Sequence, residues 1–169
     1  MNAAAVTKLL KQHTSIRRIL LHSEFFETLR SFQTELNLTK EQLRGILSDS
    51  MALRMLQPNI PNLVDTLKSL MGDPFNLTAQ QLVTLVGNGS VATRIESDKF
   101  IETLKSLMGG PFNLTKQQLV TLVGNNSVAT RIESDDFLNA LKTILERNGN
   151  NIQQMIIYAK RNALTILEN

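Results

Sequence analysis

The sequence predicts an all-α fold, a right-handed solenoid built from a helical unit of about 37 residues with two to three short helices in each. Three observations predict it. First, Leu77–Phe100 and Leu114–Phe137 are nearly the same sequence, 37 residues apart, and differ only at Ala79/Lys116, Gly89/Asn126 and Lys99/Asp136. The stretches before them, Thr66–Asn76 and Thr103–Asn113, differ only at Asp73/Gly110. Second, diverged copies of the same signatures run on either side. Third, each copy repeats a helix start, a glycine stop and a second start at fixed places.

The diverged copies extend the array in both directions. Asn37–Gln42 (NLTKEQ) matches Asn76–Gln81 (NLTAQQ), Ser50–Met55 (SMALRM) matches Ser90–Ile95 (SVATRI), and Leu63–Leu70 matches Phe100–Leu107. Thr14–Ile19 and Phe25–Phe32 carry the same two signatures earlier, and Gln153–Ile166 reads as the opening of a further unit. The chain therefore divides into a degenerate basic unit (1–36), a diverged unit (37–75), two clear units (76–112 and 113–149) and a partial C-terminal unit or cap (150–169). All belong to one repeat domain of 169 residues, long enough to bury a core.

Within a unit, the first helix starts at Thr78, which with Gln81 has capping-box spacing, while Leu77 and Leu82 fit a hydrophobic staple. Thr39/Gln42 and Thr115/Gln118 repeat the box. The helix is expected to stop near Gly87 or Gly124, with glycine at a left-handed position just past its end. Ser90 is the expected N-cap of a second helix.

Phase decides whether that helix runs on to Met108. At about 100° per residue, Val91, Ala92 and Ile95 share one face, and Phe100, Ile101, Leu104, Leu107 and Met108 lie nearly opposite. A single straight helix would be apolar on both sides. A break with Ser97 capping a third helix resolves the conflict, and Pro58 and Pro61 break the diverged unit at the same place. Asp73-Pro74 and Gly110-Pro111 punctuate the unit boundaries. The apolar positions Leu82, Val83, Leu85, Val86, Val91, Ile95, Phe100, Leu104 and Leu107 are the expected core.

Composition narrows the function. There is no cysteine, which removes disulfides, zinc–thiolate sites and thiol nucleophiles. No apolar run of membrane-spanning length occurs and no signal peptide is evident, so a soluble protein of a reducing, cytoplasmic-type compartment is expected. The two histidines, His13 and His22, have no triad or ligand spacing, and no glycine-rich loop cradles phosphate. The acid pairs Glu96/Asp98 and Glu133/Asp135 recur with the unit and suit the third helix's N-terminus. The five Asn-x-Ser/Thr sequons recur for the same reason, as parts of caps and turns. No catalysis, cofactor, metal or small-molecule substrate is expected. A non-enzymatic binding module is.

Charge is uneven. Lys8, Lys11, Arg17 and Arg18 precede His22 with no acid among them, while Asn76–Gly149 holds seven basic and seven acidic residues. Net charge is +3. Basic ends suit an anionic partner or a solvated face. One arginine recurs in each unit at Arg54, Arg94 and Arg131, with Arg18 in register. Such a row could track phosphates. Equally, it could pair with Glu96 or Glu133 or bond helix C-terminal carbonyls.

The turn between the first two helices changes between otherwise near-identical units: Gly87-Asn88-Gly89-Ser90 against Gly124-Asn125-Asn126-Ser127. Asn-Gly and Asn-Asn are ordinary turn dipeptides, but a varying loop at a fixed place in each unit is also how a repeat reads a polymer stepwise.

Over Leu77–Gly89 and Leu114–Asn126 the chain resembles the DNA-binding repeats of transcription activator-like effectors and their bacterial relatives, which open with Leu-Thr-x-x-Gln-apolar-Val and present a two-residue variable loop. Beyond the loop the patterns part, since the family has two glycines where this chain has Ser90-Val91 and Ser127-Val128. The resemblance implies that Asn88 and Asn125 brace the loop against the first helix, and that Gly89 and Asn126 approach base edges of double-stranded DNA. It further implies that the basic region of Lys8, Lys11, Arg17 and Arg18 corresponds to the family's basic N-terminal degenerate repeats, so that phosphate contacts are expected there and, from the recurring row, at Arg54, Arg94 and Arg131. The alternative partner is a protein or peptide held in the groove of a scaffold, as in many helical arrays. The Asn/Lys/Ile/Gln-rich usage is compatible with a bacterial effector delivered to a host cell.

Overall fold

The computed structural model describes residues 23–46, 51 and 60–165. Among them are ten helices and no strand, so the chain is all-α. In chain order the helices are α1 (Ser23–Glu35), α2 (Lys40–Ile46), α3 (Ile60–Met71), α4 (Ala79–Val86), α5 (Gly89–Ala92), α6 (Asp98–Met108), α7 (Lys116–Val123), α8 (Asn126–Ala129), α9 (Asp135–Arg147) and α10 (Ile152–Asn162).

The expected capping boxes form. The Thr78 and Thr115 hydroxyls accept from the amides of Gln81 and Gln118, whose side chains return to the threonine amides. Thr39 and Gln42 make the same exchange. Each box satisfies amides that the first turn leaves without carbonyl partners.

The expected break after the second helix is also present. Residues 93–96 and 130–133 are turns. Ser97 and Ser134 then cap α6 and α9 through the amides of Phe100 and Phe137. Each clear unit thus has three helices, and Pro61 of the diverged unit falls in the first turn of α3, where proline costs no hydrogen bond.

Two expectations are corrected. Gly87 and Gly124 are right-handed (φ −64° and −65°), not left-handed. Their reason for being glycine is space: a Cβ would fall 2.8 Å from the Val83 carbonyl oxygen at Gly87 and 2.6 Å from that of Val120 at Gly124. The left-handed positions among the described non-glycine residues are instead Asn37, Asn76, Asn113 and Asn150, one before each first helix (φ 48°, 49°, 49° and 61°), and the left-handed glycine is Gly149 (φ 62°), just past α9. Asparagine tolerates this conformation because its short polar side chain bonds locally; at Asn76 it donates to the Asp73 carboxylate at 2.5 Å. The second helix is capped by Asn88 and Asn125 rather than by Ser90 and its counterpart, and begins two residues earlier than the serine suggests.

Core positions follow the predicted stripe. Leu82, Leu85, Val86, Val91, Ile95, Phe100, Leu104 and Leu107 are fully buried, as are the counterparts Leu119, Leu122, Val123, Val128, Ile132, Phe137 and Leu141, while Ile144, the counterpart of Leu107, is half-buried. Val83 is the exception and is half-buried. It lies against Gly45, where a Cβ would fall 2.6 Å from Val83 Cγ1, so α2 offers it no side chain for cover.

The first helices pack in sequence, α2 on α4, α4 on α7 and α7 on α10. The second helices α5 and α8 pack on each other, and each third helix packs on the first helix that follows it: α3 on α4, α6 on α7, α9 on α10. These contacts place the loops before α5 and α8 in adjacent layers.

Candidate nucleic-acid interface

The loop before α5 is held from inside. Asn88 Oδ1 accepts from the amides of Ser90 (2.9 Å) and Val91 (3.3 Å), which fixes the start of α5. Its Nδ2 donates to the Gly124 carbonyl (2.7 Å), at the C-terminus of the first helix of the next unit. The brace therefore runs forward onto the second helix and across to the neighbouring unit, rather than back to the first helix of its own unit. The reason is local: an Asn at the N-cap finds its nearest free donors on the helix it starts. Asn125 caps α8 in the same way, through the Val128 amide at 3.2 Å.

The second loop position is different. Asn126 is the first residue of α8 and its side chain is exposed, while Gly89, at the same place in α5, is half-buried. Of the four loop residues, Asn126 alone offers an exposed polar side chain, and Gly89 offers only backbone.

The arginine row meets two fates. Arg94 Nε lies 3.3 Å from Glu133 Oε2, and one of its terminal nitrogens donates to the Ser90 carbonyl at 3.0 Å. Ser97 Oγ donates to the other Glu133 oxygen at 2.8 Å while accepting from the Phe100 amide. Glu133 belongs to the next unit, so a carboxylate closes the joint between units. Arg131, the next arginine, makes no hydrogen bond or ion pair through its side chain among the described residues. Arg54, Lys8, Lys11, Arg17 and Arg18, along with His13 and His22, lie outside the described residues.

Other polar links repeat the theme of one unit bonding the next. Gln81 Nε2 donates to Gln117 Oε1 (3.1 Å), and Lys116 donates to the Asn76 carbonyl (3.2 Å). Near the N-terminal end of the described chain, Lys68 of α3 pairs with Glu35 of α1. That contact holds the Glu35 carboxyl below the usual carboxylate range, mainly through the hydrogen bond from Lys68 and secondarily through that from Ser31. The same bond raises Lys68 above its usual range.

Sequence reasoning missed the cross-unit role of Ser97 and Glu133. The signal was available: both residues recur with Arg94 at constant spacing. No described helix is long and apolar enough to cross a membrane. Comparison with family models, with curated proteins and with solved structures gives no match to this chain.

Proposed function

We propose that the chain is a non-enzymatic, right-handed solenoid of helical units that binds double-stranded DNA, with the loops before α5 and α8 facing base edges. The observation that carries this reading is the division of labour within the loop. Asn88 spends both ends of its amide on holding the loop and the next unit. The neighbouring position, glycine in one unit and asparagine in the next, is the one that varies, and in α8 it is exposed. A fixed brace beside a variable, outward position is what stepwise base reading requires. At the variable position, asparagine can donate to a purine N7, and glycine leaves room for a thymine methyl. Phosphate contacts fall to Lys8, Lys11, Arg17, Arg18, Arg54 and Arg131, since Arg94 is held by Glu133.

The test is a fluorescence-anisotropy titration with duplex DNA at two salt concentrations. The expected result is binding that weakens with salt, weakens across all sequences when Lys8, Lys11, Arg17 and Arg18 are changed to Gln, and changes base preference at one position with Asn126→Gly. Each phosphate-binding cation replaced in this way reduces the salt slope by about 0.9. No binding at low salt sinks the reading.

A second reading, a scaffold for a protein or peptide, is favoured by one observation. Asn76–Gly149 is charge-balanced, and its first arginine is neutralised from within. If DNA fails to bind, affinity capture with the intact chain is the next experiment.

A further inference from the structure

Asn88 bonds across the joint between the two clear units and is followed in sequence by a glycine. These two facts pull against each other. An asparagine before glycine is the pair most open to intramolecular deamidation, because glycine has no Cβ to shield the approach of its amide nitrogen to the asparagine Cγ. The attack closes a five-membered succinimide ring and expels ammonia. Water then opens the ring to aspartate or isoaspartate. Water enters, ammonia leaves, and neither an oxidant nor a reductant is needed.

In the folded chain the nucleophile is free and the electrophile is held. The Gly89 amide is the first of α5 and makes no hydrogen bond among the described residues. The Asn88 amide makes three. Its Oδ1 accepts from Ser90 and Val91 at 2.9 and 3.3 Å, and its Nδ2, the nitrogen that would leave, donates to the Gly124 carbonyl at 2.7 Å. Ring closure has to turn the face of this amide toward the Gly89 nitrogen and release its ammonia from Gly124. Both moves oppose the three bonds.

The chain carries its own references. Asn125 stands at the same place one unit later, but Asn126 follows it, and its side chain shields the backbone nitrogen. Asn148 precedes Gly149, so it repeats the reactive pair without the joint. It is exposed just past α9, and its Nδ2 donates to the Ile144 carbonyl of that same helix.

We propose that Asn88 is a self-modifying site of this joint. The closed joint protects the residue, each opening exposes it to attack by Gly89, and the product keeps the joint from closing again. Aspartate places an acceptor oxygen against the Gly124 carbonyl, where the amide had a donor. Isoaspartate also adds a methylene to the backbone between α4 and α5. The opening required is local, of the kind that costs less than global unfolding. Because the next unit has Asn126, the change is concentrated in one loop of the array. The proposal is independent of DNA binding and survives its failure.

The test incubates the full chain in mildly alkaline buffer, with and without denaturing urea, and follows conversion of Asn88, Asn125 and Asn148 by peptide mass spectrometry. In urea, Asn88 and Asn148 are expected to convert alike, with Asn125 behind. In buffer, Asn88 slows about tenfold or more. Glu133→Ala removes the carboxylate that Arg94 and Ser97 hold across the joint, and is expected to speed Asn88 about fivefold while leaving Asn148 unchanged. Gly89→Asn, in urea, brings Asn88 down to the rate of Asn125. Asn88→Asp, which copies the product, loses more stability than Asn125→Asp in urea unfolding. Circular dichroism establishes that the variants fold, and the first comparison needs the parent chain alone. The proposal is overturned if Asn88 converts as fast in buffer as in urea, or if Glu133→Ala speeds Asn88 and Asn148 equally or speeds neither. It is also overturned if Asn88→Asp is no less stable than Asn125→Asp, since the product would then let the joint close.

Discussion

The joint between residues 76–112 and 113–149 and the joint between 113–149 and the segment that follows it present the same residue types with opposite outcomes. At the joint, Asn88 reaches the Gly124 carbonyl, Gln81 reaches Gln117, and Arg94 with Ser97 holds Glu133. At the second joint Asn125 still caps its helix, but Arg131 is unengaged among the described residues. What differs is not the unit but what stands beside it. The polar residues of this repeat therefore have two separable jobs. One is local, starting helices, and is done in every unit. The other joins units and, among the described residues, is done where the following unit presents the matching group.

Backbone crowding gives the largest expected effect. At the joint of α2 with α4, a Cβ on Gly87 would lie 2.8 Å from the Val83 carbonyl oxygen and 3.2 Å from that of Gly45. Both are backbone atoms and cannot rotate away. Gly87→Ala is expected to lose about 1–3 kcal/mol, as overpacked sites do. At Gly110, on a unit boundary, a Cβ would meet nothing within 4 Å. Gly110→Ala is expected to stay within about 0.5 kcal/mol of the parent. Urea unfolding of both variants checks the contrast. Equal losses would mean that helix stacking does not depend on close backbone approach.

Next in size is the paired change of Asn88 and Asn125. Asn125→Ala removes an N-cap, worth about 1 kcal/mol. Asn88→Ala removes the same kind of cap and also the bond to Gly124 of the following unit. It is expected to cost about 1 kcal/mol more, the net worth of one hydrogen bond. The difference between the two variants reports the bond to Gly124 together with the second amide that Asn88 caps. If they lose the same amount, the 2.7 Å contact to Gly124 contributes nothing to stability.

Much of this was legible in the sequence, because the repeat shows each signal more than once. The Thr–Gln boxes, the break before Ser97 and the buried stripe all follow from local rules of hydrogen bonding and phase, and they are where those rules place them. The misreadings share a cause. Gly87 looked like a left-handed stop, since that is glycine's commonest use at a helix end, but its need comes from Val83 and Gly45, which only packing reveals. Asn76 looked like part of a cap motif and is the left-handed residue. Pairing of the arginine row with a nearby Glu96 or Glu133 was one of two alternatives, but the link from Arg94 across to Glu133 was not foreseen, because spacing along one chain does not say which unit supplies the partner. The candidate site was legible as a loop, but the split between a bracing Asn88 and an outward Asn126 emerges only when the units stack.

The Glu35–Lys68 pair sharpens the comparison from the other side, because it joins α1 to α3 through a contact that the clear units do not repeat. Both groups are solvent-exposed, and ion pairs of this kind contribute little. The sign of their pH dependence is nonetheless fixed. Glu35 titrates lower when folded, so its contribution is present above the unfolded carboxyl's pKa of about 4.3 and is lost as pH falls through the lower folded value. Lys68 titrates higher when folded, so its contribution is present below about 10.4 and is lost as pH rises through the higher folded value. Thermal unfolding of the parent and of Glu35→Gln should differ slightly between those limits, converge in acid and in strong base, and converge at neutral pH in high salt. A gap that persists in acid, where the glutamate is already neutral, would assign the effect to packing of the side chain and not to its charge.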